Sequence, residues 1–528
     1  MEKIDYQMRS IEGIESSTEK EIPDWMTIQV AKGGGIALLG NVVGKIINLV
    51  LHILLGRVLG PGSYGIYALG TSIISISRSF SLLGLKKGVV RFCAKFRGEN
   101  DNARIKGTIL SALLLSLISS AIMAAILFAF SHLIAQKFFH EPSLTWVLRV
   151  FAIGIPFYVL MEVTSSFAQS FRRIDYQQGV ENIFPSFINL ALVSLAFILG
   201  FKLYGAVGGF VISGIISAGL GFHFLRRIFP QFRSRLMPIS NAKQLLRFSI
   251  PTLFLGLSYL LMTYTDRIML GYFGNASDVG IYNAAAQLGL KATIFLNAII
   301  LIYSPMVSDL YNRKMYKDLD KLFKIATKWA TMLSLPFLLF LAIFSKSLMM
   351  LFGSSFEAGA TVLSIIALAQ LFNVGTGPLG PLLQMTGKQD IDFVNGITVL
   401  ILNIGFNIWL IPTFGAIGAA MALGVSIIIF HAARLIEVYI LLKIFPYDNR
   451  YLKPLIAGTV ATLISIAFRV LVDIDQWYLL AISGFFLLLS GYLIVLLAMG
   501  LDKEDKVVLY KFKEKISLVL GKSRISKT

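Results

Sequence analysis

The stretch Leu-Gly-Arg-Val-Leu-Gly-Pro-Gly-Ser-Tyr-Gly-Ile-Tyr at residues 55–67 decides the fold, because the chain repeats its landmarks. Leu-Gly-Tyr-Phe-Gly-Asn-Ala-Ser-Asp-Val-Gly-Ile-Tyr at residues 270–282 matches it at an offset of 215 (270 minus 55). Later landmarks also recur: Gln169 and Asp175 at Gln384 and Asp390, segment 204–208 at 414–418, and 228–230 at 444–446. Two hydrophobic halves with corresponding landmarks are typical of a transporter whose halves move about a central site.

The composition indicates a membrane protein. Of 528 residues, 56% are hydrophobic and only 15% are charged, and the mean hydropathy is +0.74; a soluble domain has about 25% charged residues. The apolar residues fall in runs of about 20, the length that crosses a hydrocarbon layer about 30 Å thick. We predict an all-α, polytopic fold with about fourteen spans, at residues 30–56, 62–84, 107–131, 144–170, 180–201, 205–226, 249–272, 279–304, 325–351, 359–386, 392–412, 415–443, 453–472 and 476–500.

The repeat divides the chain into two six-helix lobes and two additional C-terminal helices. Residues 1–29 are polar and mostly acidic, and they lack the basic start and cleavage site of a signal peptide. We therefore predict six regions: an N-terminal tail at 1–29, an N-lobe at 30–230, a basic linker at 231–248, a C-lobe at 249–446, the last two spans at 447–501 and a basic tail at 502–528.

The net charge of +19 is concentrated in alternate connections between the spans. Lys and Arg residues crowd the connections after the second, sixth and eighth spans, whereas the intervening connections carry almost none. Because such enrichment marks the cytoplasmic face, both termini are predicted to be cytoplasmic, in a multi-pass protein of the cell membrane. We expect the basic tail to contact anionic lipid. No nucleic acid is expected as a partner, because no nucleic-acid-binding motif accompanies the charge.

The sequence argues against an enzyme, a metal site or a bound cofactor. Cys93 is the single cysteine, and the five histidines show neither an i, i+4 pair nor a carboxylate at zinc-protease spacing. Nucleophile-elbow, phosphate-loop and dinucleotide-binding motifs are also missing. Without a phosphate loop, transport would depend on an ion gradient, the membrane potential or a substrate gradient.

Polar side chains inside the spans are the candidate site residues, because in hydrocarbon they are costly and usually face a wet cavity or the bundle interior. In the first span four of them are spaced four, three and four residues apart, which places them on one helical face. The second and eighth spans repeat this spacing. The predicted cavity residues are Asn41, Lys45, Asn48 and His52, then Thr71 and Arg78, then Asn283, Gln287 and Lys291.

Several of these residues have a second interpretation. Arg78 and Lys291 would instead reach lipid headgroups if they lie near the cytoplasmic end of their spans, which is harder for Lys45 in mid-span. Glu162, in the fourth span, is either a proton or sodium site or the partner of a cation. Asp266, beside Arg267, is either an ion-coupling residue or an interfacial feature.

Glycine and proline predict a moving part in the tenth span. A straight helix is incompatible with five such residues in quick succession, and the fourth span, its partner in the repeat, contains Gly154 and Pro156. Interruptions at corresponding places in two halves are typical of the hinge and site region of a transporter. The predicted hinge residues are Gly375, Gly377, Pro378, Gly380 and Pro381.

The chain resembles a known family in four segments: Asn-Val-Val-Gly-Lys-Ile-Ile-Asn at 41–48, the two repeated blocks at 55–67 and 270–282, and Gly-Ala-Ile-Gly-Ala-Ala at 415–420. It is similar to the polysaccharide biosynthesis flippases, the Wzx-type exporters of the multidrug/oligosaccharidyl-lipid/polysaccharide superfamily, over about residues 30–500. The resemblance implies two six-helix lobes around a central cavity, alternating access, and a groove for the lipid tail at the last two spans.

The family resemblance implies a lipid-linked glycan as the partner, namely a polyprenyl phosphate or pyrophosphate oligosaccharide, moved from the inner to the outer leaflet. Its anionic head needs the cations, and its sugars need the amides and hydroxyls of the predicted cavity. A glycan polymerase or glycosyltransferases would be the protein partners of this chain. Three alternatives are a peptidoglycan-precursor flippase, a multidrug cation exporter, and a membrane glycosyltransferase or polymerase. A cation exporter would present acidic residues, which the first span lacks. A glycosyltransferase or polymerase would need a larger outer loop.

Overall fold

The computed structural model describes residues 24–472, 474–500, 502 and 504–506. The predicted tails therefore lie largely outside the described residues, at 1–23 and 507–528. The described residues form helices and no strand, which confirms the all-α prediction. Within them, eleven helical segments are long and apolar enough to cross a membrane. The number of fourteen spans stays a prediction.

Seven helices form the first half. Serine hydroxyls inside them donate to the carbonyl four residues earlier, as Ser72 does to Ala68 at 2.8 Å, so these polar groups are satisfied within their own helix. The helices are α1 (Asp24–Ser81), α2 (Leu85–Gly98), α3 (Asn102–Leu133), α4 (Leu144–Ser170), α5 (Ile174–Gln178), α6 (Phe184–Ile198) and α7 (Lys202–Ile228).

The second half and the C-terminal pair contain ten more helices. They are α8 (Ala242–Phe273), α9 (Ala276–Gly289), α10 (Ile294–Asn312), α11 (Tyr316–Ile343), α12 (Ser345–Met349), α13 (Ala360–Gly375), α14 (Leu379–Met385), α15 (Gln389–Leu442), α16 (Leu452–Leu471) and α17 (Trp477–Ala498).

Two of these helices are broken at a glycine. Gly60 in α1 has a φ of 69° and Gly415 in α15 has a φ of 55°. Both values lie in the left-handed region, which residues with a Cβ atom rarely adopt. Each long element therefore consists of two helices joined at that residue. These breaks fall at the boundaries of predicted spans: Gly60 lies between the first and the second, and Gly415 is the first residue of the twelfth.

The two repeated Gly-Ile-Tyr motifs pack against each other. A Cβ atom on Gly65 would lie 1.6 Å from the carbonyl oxygen of Ala276, and one on Gly280 would lie 2.1 Å from the carbonyl oxygen of Pro61. Pro61 and Ala276 are themselves related by the offset of 215 (276 minus 61). The contact is thus reciprocal, as expected where two structural repeats meet about a pseudo-twofold axis. Its backbone approach is too close for any residue except glycine.

The halves also meet at the opposite end of the bundle, which we call the basic end because it carries the Lys- and Arg-rich segments 85–106 and 229–248. These segments lie together, since the Ile239 amide donates to the Ala103 carbonyl at 3.1 Å. A Cβ on Gly84 would lie 2.1 Å from the carbonyl oxygen of Ser249, so the start of α2 packs closely on α8.

The C-terminal pair, α16 and α17, packs against α11 of the second half. The chain after α17 is fastened there by charge, because Lys328 donates to Asp505 at 2.7 Å and also pairs with Asp502. The indole of Trp329 donates to the other oxygen of Asp505 at 2.8 Å. Lys328 is buried, so these carboxylates compensate a charge that would otherwise be costly there.

Candidate functional site

A chain of hydrogen bonds joins the two halves in the middle of the protein. The Tyr64 hydroxyl accepts from the Asn283 amide at 2.8 Å and bonds to His52 Nδ1 at 2.9 Å. His52 Nε2 lies 3.3 Å from Gln287 Nε2, and Lys291 Nζ donates to Asn48 Oδ1 at 2.9 Å. We call this set the polar ladder: Asn48, His52, Tyr64, Asn283, Gln287 and Lys291.

Helical spacing explains the form of the polar ladder. Residues four apart lie one above another on a helix. Asn48 and His52 therefore form one side of the polar ladder, and the other side consists of Asn283, Gln287 and Lys291. The side with Asn48 and His52 belongs to α1, in the first half of the chain. The other side belongs to α9 and the turn that follows it, in the second half. Any movement of the halves apart must therefore break or rearrange these bonds.

Tyr64 was not among the sequence candidates, although it is fully buried and lies at the centre of the polar ladder. It belongs to the repeated block at 55–67, which serves in the sequence as a landmark of the repeat and of the family resemblance. A signal was present in the repeat itself: at the offset of 215, Tyr64 corresponds to Val279, so one copy carries a polar group that the other lacks.

Three cationic side chains, those of Lys45, Arg267 and Lys291, lie close to the polar ladder. The charges of Lys45 and Arg267 both act on Lys291. Arg267 is buried, its Nε has no hydrogen-bond partner, and its guanidinium lies 5.4 Å from the centre of the Tyr264 ring. Within the described residues, none of the three cations forms an ion pair with a carboxylate. The charge of Arg267 also acts on the neighbouring Asp266, but these three side chains have no directly paired carboxylate among the described residues.

Arg78 is placed elsewhere, inside the first half. It pairs with Glu162 of α4 and lies over the Tyr158 ring at 4.6 Å. Nearby, Lys86 pairs with Glu181. Of the two interpretations of Glu162, the structure shows the pairing with a cation. The polar ladder thus contains Lys291 but not its near-equivalent in the first half.

The other two sequence candidates are also outside the polar ladder. The Thr71 hydroxyl donates to the Ala68 carbonyl of its own helix at 3.0 Å, and Asn41 is exposed. Helical spacing within the first two predicted spans is what places both among the candidates. Spacing places them on the same helical faces as ladder residues, but it does not specify how far along the helix the second half makes contact.

Asp266 lies in a separate polar group within the second half. It is 2% exposed, and it accepts from Tyr282 at 2.9 Å, from Asn407 at 2.9 Å and from Asn403 at 3.1 Å. The Asp266 side chain is therefore buried, whereas an interfacial position was one of its two interpretations. Its partners were missed, although Asn403 and Asn407 are spaced four apart in the eleventh predicted span.

The two polar groups are connected through neighbouring residues of α9. Tyr282 donates to Asp266 and Asn283 donates to Tyr64, so consecutive side chains reach the two sites. A change in the charge on Asp266 would act directly on the segment that holds the polar ladder.

The predicted hinge is a real interruption of the helix. α13 ends at Gly375 and α14 begins at Leu379, with Gly377 at a φ of 77° between them. The Tyr451 hydroxyl donates to the Gly375 carbonyl at 2.9 Å, which satisfies one group freed by the break. Its counterpart in the first half is different, because α4 continues through Pro156 as one helix. Whether this segment moves stays a prediction.

Two sequence families match the chain. The family described as polysaccharide biosynthesis protein matches residues 30–311, and the family described as MatE matches residues 251–409. The first match covers 282 residues (311 minus 30, plus 1), which is more than half of the 528.

The relatives and solved structures agree with these matches. A putative O-antigen transporter from Shigella flexneri is 22% identical over 415 residues, which cover 74% of this chain and 93% of that protein. The probable flippase AglR from Haloferax volcanii is 24% identical over 412 residues, which cover 75% of this chain and 80% of that protein. A structure of the lipid II flippase MurJ in an inward closed conformation matches with a TM-score of 0.70 at 18% identity, over 87% of this chain and 97% of that one. This likeness establishes the fold.

Proposed function

Because the chain belongs to the polysaccharide biosynthesis protein family, we propose that it moves lipid-linked oligosaccharides or polysaccharide repeat units across the cell membrane by alternating access. The putative O-antigen transporter and the probable flippase among its relatives support this proposal. The observation that carries it is the group of three cationic side chains, Lys45, Arg267 and Lys291, which form no ion pair within the described residues and lie beside an inter-lobe ladder of amides and an imidazole.

The chemistry of such a substrate fits these residues. A phosphate or pyrophosphate group needs cations that are not already neutralised by carboxylates, and sugars need hydrogen-bonding amides and hydroxyls. The polar ladder offers both between the two halves. Substrate entry would replace ladder bonds such as that from Lys291 to Asn48, and so would separate the halves at this level.

A multidrug cation exporter is the second candidate, and the MatE match over residues 251–409 favours it. A cationic drug would need an unpaired carboxylate in the cavity. Asp266 is the nearest candidate, but its two oxygens are engaged by three donors of the second half. The charge around the polar ladder therefore favours an anionic substrate. A peptidoglycan-precursor flippase also handles a pyrophosphate. Comparing the transport of different lipid-linked glycans distinguishes that function from the proposed one.

We test this function with purified full-length protein in proteoliposomes that contain a fluorescent polyprenyl-diphosphate oligosaccharide. We expect the protein to accelerate its movement between leaflets, measured by the fraction that a membrane-impermeant quencher reaches. A quaternary ammonium dye serves as the comparison substrate and should not be transported. Transport of the dye without movement of the glycan lipid would refute the proposal in favour of a cation exporter.

We propose further that Asp266 couples transport to a proton or a small monovalent cation. A buried carboxylate surrounded by one hydroxyl and two amides can bind either one, and its contact with Tyr282 leads to the polar ladder. Asp266→Asn should lower transport driven by an imposed pH or sodium gradient about tenfold, the usual scale of coupling between sites. Gradient-independent exchange should persist. The initial rates with and without each gradient measure this.

Asp309→Asn is the matched control for the coupling experiment. Asp309 pairs with Arg313 on the surface, at 3.0 Å and with more than half of its side chain exposed, so its loss should not change the gradient dependence. Full gradient-driven transport by Asp266→Asn would rule out this site.

For the orientation, we propose that the basic end lies in the cytoplasm, with both termini on that side. In a Cys93→Ser background, Phe414→Cys and Phe201→Cys should react with an impermeant thiol reagent in intact cells, since both positions are exposed at the other end. Met315→Cys and Glu99→Cys should react only after the cells are opened. Labelling of either of these two residues from outside would invert the assignment.

A further inference from the structure

A pocket at the basic end is lined by arginines on an exposed face of α7. Its volume is about 470 Å³, and we call it the arginine pocket: Gly219, Phe222, His223, Arg226, Arg227 and Arg233. Gly219, His223 and Arg226 or Arg227 follow one another at helical spacing, so they form a single stripe along α7. Arg233 reaches the pocket from the short helix Pro230–Arg233 that follows.

The arginines of this pocket have no carboxylate partners within the described part of the chain. Cations inside the protein do have such partners: Arg78 pairs with Glu162, Lys328 with Asp502 and Asp505, and Arg434 with Asp392. Three guanidinium groups around one pocket without a counter-charge repel one another. An anion with several acceptor oxygens would relieve that repulsion and would accept bidentate hydrogen bonds.

The stripe continues as an apolar surface away from the arginine pocket. Ile212, Ile215 and Ile216 are exposed on the same side of α7, with 40–45% of each side chain accessible. From Ile212 to Arg226 the helix rises about 21 Å, at 1.5 Å per residue. One leaflet contributes about 15 Å of hydrocarbon. The stripe therefore has the length of one lipid molecule, with its charged end at the basic end of the bundle.

The stripe faces away from the polar ladder. α7 packs mainly on α4 and α6 of its own half, and its exposed face is on the outside of the bundle. A bound molecule would therefore come from the surrounding leaflet and would not pass between the halves. A Cβ on Gly219 would meet nothing within 4 Å, so the helix surface is open at the level where a headgroup would join its chains.

We infer that the arginine pocket binds the phosphate headgroup of an anionic phospholipid in the leaflet at the basic end, with an acyl chain lying along the isoleucines of α7. The pocket is distinct from the transport site, so this inference does not depend on which substrate the protein carries. Bound lipid would tie α7, and with it the outer face of the first half, to the surface of the leaflet.

The test measures how much phosphatidylglycerol the full-length protein retains, by native mass spectrometry after extraction from mixed phosphatidylglycerol and phosphatidylcholine bilayers. The triple variant Arg226→Gln, Arg227→Gln, Arg233→Gln should retain at least about tenfold less phosphatidylglycerol. The control is Arg235→Gln, Lys243→Gln, Arg247→Gln. It removes the same charge from the same connection, outside the pocket, and should retain the wild-type amount.

A second variant keeps every charge in place. Gly219→Trp fills the open surface above His223 and should also lower phosphatidylglycerol retention, with unchanged thermal stability in phosphatidylcholine. Equal losses in the pocket and control triple variants would overturn the proposal, because the effect would then be one of general surface charge. Displacement of the lipid by millimolar inorganic phosphate would also overturn it, in favour of a site for a soluble phosphate compound.

Discussion

Gly65→Ala is expected to reduce transport by at least about tenfold, because a single methyl group there collides with the other half of the protein. The new Cβ would lie 1.6 Å from the carbonyl oxygen of Ala276, which is backbone and cannot turn aside. Overpacking of this kind costs roughly 1–3 kcal/mol where the surroundings relax, and more where they are backbone. The closed contact between the repeated motifs would be lost.

Gly280→Ala should have the same effect, since its Cβ would lie 2.1 Å from the Pro61 carbonyl oxygen in the reciprocal contact. Gly62→Ala is the matched control: it lies three residues from Gly65 on the same helix, and its Cβ would meet nothing within 4 Å. The rate of glycan-lipid movement in proteoliposomes and the amount of folded protein in the membrane are measured for each variant. Normal transport by Gly65→Ala would show that alternating access does not need this contact.

Lys291→Ala should give the second large loss, because it removes the one lysine of the polar ladder. The attraction between a cation and a phosphate 4 Å apart is worth about 4 kcal/mol at an effective dielectric constant near 20. Its bond to Asn48 across the halves would be lost as well. Lys291→Arg should retain part of the activity, and Lys291→Glu should be worse than Lys291→Ala because repulsion replaces attraction.

The measurement for the Lys291 series is cell-surface glycan, divided by the membrane level of each variant. Lys317→Ala is the control, since this lysine is exposed at the start of α11 and forms no ion pair within the described residues. Normal export by both Lys291→Ala and Lys45→Ala would contradict binding of an anion at the polar ladder. Arg78 is less informative here, because its loss would also leave Glu162 without its partner.

The repeat and the helical spacing were readable from the sequence because both are local or periodic properties. The offset of 215 identified the blocks that meet at Gly65 and Gly280, and a period of about 3.6 residues put Asn48 with His52, and Asn283 with Gln287 and Lys291, on common faces. The break of the tenth span was predicted for a similarly local reason, since glycine and proline act on their own backbone.

Partners distant in sequence were decided only by the tertiary structure. Tyr64 joins Asn283 across 219 positions, Asp266 joins Asn407 across 141, and Arg78 joins Glu162 across 84. Periodicity states which face of a helix a side chain occupies, but not which helix lies opposite or at what height. That information depends on how the two halves pack. The sequence alone determined the membrane-spanning repeat and its polar faces. Packing determined that Lys291 enters the polar ladder and that Arg78 is paired with Glu162.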